Sequence, residues 1–75
     1  MKRYKNLSKD SGAIAYEIGK ESIKVQFRDG SIYNYTYGST GKEHIEQMKK
    51  LAELGRGLTT YINVYVREKY ALKIV

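Results

Sequence analysis

"IKVQFRDGSIYNYTY", residues 23–37, decides the fold. Ile23, Val25 and Phe27 alternate with Lys24, Gln26 and Arg28, the period-two pattern of a strand with one wet face. Asp29-Gly30 signals a hairpin, and a second strand runs from Ser31 to Tyr37 with tyrosines at every other position. The length of the turn sets which faces meet. A two-residue Asp29-Gly30 loop pairs Phe27 with Ile32 and Val25 with Asn34, and continues the apolar face into Asn34 and Thr36, a poor core. A three-residue loop, Arg28-Asp29-Gly30 with Gly30 left-handed in a bulge, pairs Val25 with Tyr33 and Ile23 with Tyr35. A one-residue slip flips every side chain of a strand. A chain this short buries only about 60–65% of its unfolded surface and cannot spare three aromatic rings. The three-residue turn is therefore expected.

On the N-terminal side, Ile14, Tyr16 and Ile18 alternate with Ala13, Ala15 and Glu17, which predicts a third strand over 13–18. The expected apolar face is then Ile14, Tyr16, Ile18, Ile23, Val25, Phe27, Tyr33 and Tyr35. This makes the tyrosines core first, with each hydroxyl reaching water or a partner. A platform for stacking nucleic-acid bases is the alternative reading of the same stripe. Residues 1–10 are polar, basic and without a period, and read as a mobile arm preceding a single domain over 11–75.

Beyond Gly38 the period changes. Thr40-Gly41-Lys42-Glu43 fits a capping box, with Thr40 as N-cap. Ile45, Met48, Leu51 and Ala52 recur at helical spacing, and Gly55 is a natural C-cap. The tail, "TTYINVYVREKYALKIV", is ambiguous. Thr59, Thr60, Ile62, Val64 and Val66 favour a strand on propensity. Leu58, Ile62, Tyr65, Val66 and Tyr70 form a helical stripe, with Thr59 or Thr60 as N-cap.

Composition narrows the chemistry. There is no cysteine, so neither disulfides nor a cysteine metal site can brace the fold, and a reducing, cytoplasmic setting is expected. The N-terminus lacks the apolar stretch of a signal peptide, and no apolar run approaches the ~20 residues that span a bilayer. His44 is the single histidine, read as a solvated residue in the first helical turn, with no nucleophile or orienting acid at catalytic spacing. "GSTGK" at 38–42 has too few residues between its glycines for a phosphate loop, and Glu43 stands where Ser or Thr is needed. "GRG" at 55–57 could form an anion-binding nest, but a helix C-cap explains Gly55 with less. No enzyme signature and no cofactor, metal or small-molecule site emerges.

What remains is cationic. The net charge is +6, with Lys2, Arg3, Lys5 and Lys9 against Asp10 at one end and Arg67, Lys69 and Lys73 against Glu68 at the other. An acidic partner such as RNA is expected from this excess, though solvation alone also explains it. Two helices lying antiparallel over the sheet would let Lys49, Lys50, Arg56, Arg67, Lys69 and the N-terminal residues converge on phosphates. A protein-interaction or self-associating module is the alternative, through an exposed sheet edge or the tail.

The order Ser11…Ile14, "IKVQF", "DG", Tyr33-x-Tyr35, an amphipathic helix and Tyr61-x-Asn63-x-x-Val66-x-x-x-Tyr70 resembles the KTSC domain, over about residues 11–74. That family is named for the C-terminal domain of some lysyl-tRNA synthetases and also occurs as small single-domain bacterial proteins. Its linker differs here, since Leu58-Thr59-Thr60 separate Gly57 from Tyr61. The resemblance implies no activity, and implies RNA binding only through the synthetase attachment. It also implies that the tail is helical. The expected architecture is therefore α+β: a three-stranded antiparallel meander followed by two helices on one face, with a fourth strand at the tail as the alternative.

Overall fold

The computed structural model describes residues 1–7 and 12–75. Five strands, β1 (Lys2–Arg3), β2 (Ala13–Ile18), β3 (Ser22–Phe27), β4 (Ile32–Thr36) and β5 (Leu72–Lys73), form one antiparallel sheet in chain order. Between β4 and β5 the chain makes a single helical turn α1 (Tyr37–Thr40), the helix α2 (Lys42–Leu54), and a last helix α3 (Leu58–Tyr61) that widens into a π-helical segment over Ile62–Val66. The expected α+β order, meander then helices, is the one the chain adopts, and a fifth short strand closes the sheet.

The central hairpin has the three-residue turn. Phe27 N–H donates to the Ser31 carbonyl at 2.8 Å, Gly30 N–H donates to the Phe27 carbonyl at 2.9 Å, and Gly30 takes φ 92°. Val25 stands opposite Tyr33 and Ile23 opposite Tyr35. Ile23, Val25 and Tyr35 are fully buried against Ile45, Met48, Leu58 and Val66, so the helices cover this face of the sheet. On the opposite face Lys24 and Glu17 pair at 3.6 Å across β2 and β3, in water.

β2 departs from the expected face. Its register to β3 shifts between Ala13 and Ala15, so Ala13 turns inward with Tyr16 while Ile14 is left 40% exposed. The cause is a bulge, which inserts one residue and breaks the alternation at that point. Ala13 N–H donates to Thr59 Oγ1 at 3.2 Å. Ile18 keeps the expected side but sits near the sheet's end, where it remains 38% exposed.

The first residues are not a free arm. Lys2 pairs with Tyr16 and Arg3 with Ala15, and the Tyr4 ring is buried in the core. Tyr4 OH accepts from Leu58 N–H at 3.1 Å, and Leu7 N–H donates to the Gly55 carbonyl at 2.6 Å. One aromatic anchor and one edge ladder outweigh the entropy of this basic segment. Lys9, Asp10 and Ser11 lie outside the described residues.

The cap also differs. Thr36, not Thr40, makes a reciprocal box with Ser39 around α1, and Gly41, at φ 105°, precedes α2 without a side-chain cap. Thr40 is buried and its hydroxyl donates to the Lys69 carbonyl at 2.7 Å, so it ties the tail down instead. Gly55 ends α2 in the left-handed conformation, φ 86°, as expected.

The tail is helical from Leu58 to Val66, as the stripe predicts, but the stripe's last member, Tyr70, lies beyond the end of the helix. Leu58, Ile62 and Val66 are buried, while Asn63 and Arg67 are exposed. A π-helix has a wider turn than an α-helix, which keeps every fourth residue near one face. Tyr65, assigned to the stripe at i+7, is rotated out and 54% exposed. Neither Thr59 nor Thr60 caps the segment, which enters instead through Gly57 at φ 79°. Extended structure appears only at Leu72–Lys73, paired to Tyr33 and Asn34.

Candidate functional site: an aromatic groove beside the hairpin

The hairpin turn and the π-helical segment enclose a groove of about 510 Å³. The hairpin contributes Phe27 and Tyr33 from its inner face and Arg28 and Asp29 from the turn; the helical side contributes Ile62, Asn63 and Arg67. Tyr70 crosses from the tail. Its ring meets Tyr33 at 4.7 Å between centroids and 65° between planes, and Phe27 meets the other side of Tyr33 at 5.7 Å and 79°. These are the edge-on arrangements that the ring quadrupole favours.

Tyr35 forms the buried floor, where burial first, then Tyr33 and Tyr70, push its phenol up to about 12. It stays a neutral hydroxyl at ordinary pH. At the mouth, Asp29 accepts from Ser31 N–H at 2.9 Å and from Ser31 Oγ at 2.6 Å, and the Ser31 hydroxyl bond is the main cause of its lowered pKa. Lys73, opposite Tyr33 on β5, sets its Nζ 5.7 Å from the Tyr33 ring centroid. The groove thus combines ring edges and faces, an amide, and charges of both signs.

The cations named from sequence do not all gather in one place. Lys2 and Arg3 lie on β1 and Lys73 on β5, at opposite borders of the sheet, roughly 19 Å apart at the usual strand spacing. Lys5 packs beside Gly55, next to Arg56, on the β1 side. Lys49 is occupied: its Nζ donates to the Lys20 carbonyl at 3.1 Å, pairs with Glu46 at 3.1 Å and lies over the Tyr37 ring. Lys50 is exposed on α2, and Lys69 is exposed where its carbonyl holds Thr40. Arg67 alone of the named cations lines the groove; Lys9 lies outside the described residues. The groove's other charged groups, Arg28, Asp29 and Glu68, and Lys73 at its margin, were not among the candidate site residues. Arg28 was findable, because the turn that fixes the register also places it beside Phe27.

Among the residues that carried the family resemblance, Tyr33, Tyr35, Asn63 and Tyr70 line this groove and Val66 is buried in the core. Tyr61 faces elsewhere. Its hydroxyl is 2.7 Å from Nδ1 of His44, which is half-buried rather than solvated, and the Tyr65 ring lies 4.7 Å from it. Among the described residues, no three His, Cys, Asp or Glu side chains gather as metal ligands, and no helix is long and apolar enough to cross a membrane. Compared with known proteins, the chain matches no family model, no curated protein and no solved structure.

Proposed function

We propose that this is a non-catalytic, cytoplasmic domain that binds RNA or other single-stranded nucleic acid, and that it is kin to the KTSC domains. The observation that carries the reading is the aromatic groove with Arg67 and Lys73 at its margin. Aromatic surfaces beside cations are what sequence-tolerant single-strand binding requires, rings for the bases and cations for the phosphates. The binding surface is the β4–β5 side of the domain rather than both ends of the chain. A fluorescence-anisotropy titration with labelled tRNA and short single-stranded oligonucleotides, at low and at physiological salt, tests it. Affinity should fall as salt rises. No binding at low salt, or binding indifferent to salt, overturns the proposal.

One observation favours a second reading, self-association. Leu72, Ile74 and Val75 are 59%, 43% and 67% exposed, an apolar row along the border strand of the sheet. Sedimentation that stays monomeric at high protein concentration rejects it.

A further inference from the structure

The charge in the groove is balanced. Arg28 and Arg67 face Asp29 and Glu68 in the same lining, and Lys73 stands outside it over the Tyr33 ring. A phosphate pocket gathers donors and cations and keeps carboxylates away. Here the Asp29 carboxylate is fixed at the mouth by two bonds from Ser31, which disfavours an anion entering. A neutral, planar ring with both donors and acceptors on its edge suits the lining better. The Asn63 amide offers both, and among the described residues it makes no hydrogen bond within the protein; Arg67 likewise makes no ion pair. Tyr33 and Tyr70 supply ring surface beside them, with Tyr70 36% exposed. The volume falls within the about 300–1,000 Å³ typical of small-ligand clefts; it admits a nucleoside and no paired helix.

We infer that the groove receives one unstacked base of a single strand, packed against Tyr70 and Tyr33, with Asn63 on the base edge and Arg67 and Lys73 toward the flanking phosphates. The inference rests on the nucleic-acid reading above and adds the site and the moiety. It predicts that bases, and not charge alone, contribute to affinity.

The test compares labelled oligouridylate with an abasic strand of the same length and charge, in ribose and deoxyribose forms. The base-bearing strand should bind about 5- to 150-fold tighter, the worth of one stacked base. Tyr70→Ala should reduce that advantage to none while Tyr70→Phe keeps it, and Asn63→Ala should weaken only the base-bearing strand. Because Tyr70→Ala touches packing, ring-proton signals of Tyr33 and Tyr70 in the unaltered protein give a second reading. They should shift with the uridine strand and stay in place with the abasic one. A preference in either sugar form supports the site and identifies RNA or DNA as its source. Equal, salt-dependent binding of both strands overturns the base site and leaves phosphate binding standing. Binding of neither overturns both.

Discussion

Tyr70 lies edge-on to Tyr33, 4.7 Å between ring centroids, and joins the tail to the central hairpin across about half of the sequence. The same ring reaches Tyr35 at 6.3 Å and 90°. The groove's wall and the tail's anchor are therefore one side chain.

Replacing Tyr70 by alanine should lower stability by about 1–2 kcal/mol, from two aromatic contacts and the ring's partial burial. Tyr70→Phe should fall within about 0.5 kcal/mol of the parent, since its hydroxyl makes no hydrogen bond among the described residues. Urea melts of the three proteins decide this; an unchanged midpoint for the alanine variant means the tail is not held by that ring.

Gly55 and Gly30 should respond unequally to substitution. A Cβ on Gly55 would sit 2.7 Å from Lys5 Cβ, at a φ of +86° that side chains rarely adopt. Gly55→Ala should cost upwards of about 1 kcal/mol. It should also speed hydrogen exchange at Leu7, whose N–H bonds the Gly55 carbonyl. Gly30 has the same sign of φ but nothing within 4 Å of a Cβ, so Gly30→Asn should cost only the backbone strain and less than Gly55→Ala. Equal losses at the two sites would refute the role given to Lys5 packing.

Alkali should unfold the domain partly through Tyr35. Its phenol is raised from 10.0 to about 12 in the fold, mainly by burial. The folded state holds that proton more tightly than the unfolded chain. The contribution is fully present below pH 10 and is lost as pH rises towards about 12. Tyr35→Phe should flatten the fall in stability over that window, measured by denaturant melts at stepped pH. An identical decline in the variant would assign the loss to other groups.

Nucleic-acid binding, if centred on the groove, should depend on one border of the sheet. Arg67→Gln and Lys73→Gln should each weaken binding and reduce the salt slope by about one counterion. Lys2→Gln with Arg3→Gln should change little, because β1 is the far border. The reverse ranking, read from titrations at several salt concentrations, would move the site to the N-terminal side.

The hairpin and α2 were legible because their signals are local. Gly30 and the alternation about it permit one sensible register, and Ile45, Met48 and Ala52 leave a helix little choice of face. The bulge in β2 was not, because Ala13, Ile14 and Ala15 carry no turn residue to mark it. β1 and β5 are two residues each and exist through partners distant in sequence. Lys2–Arg3 reads as solvated charge until Tyr4 is seen buried. The groove was half legible: period two put Tyr33 on the inner face, but only tertiary closure sets Tyr70, Arg67 and Lys73 around it. The spread of the basic residues failed for the same reason, since proximity of two chain ends cannot be read from their composition.

The π-helical turn at Ile62–Val66 gives this surface room for one residue more than a plain helix would hold. Each residue of an α-helix advances the chain by about 100° around the axis, and a π-turn takes roughly one more residue to complete the same circle. A variant one residue shorter within Ile62–Val66, wound as plain α-helix, would therefore bring the chain after Val66 back to nearly the same angle. Arg67 and Tyr70 would keep their places, and so would the buried Leu58 and Ile62. In related chains, a single deletion here should be absorbed within the turn itself, altering the exposed stretch around Asn63–Tyr65 while sparing both the fold and the groove's far wall.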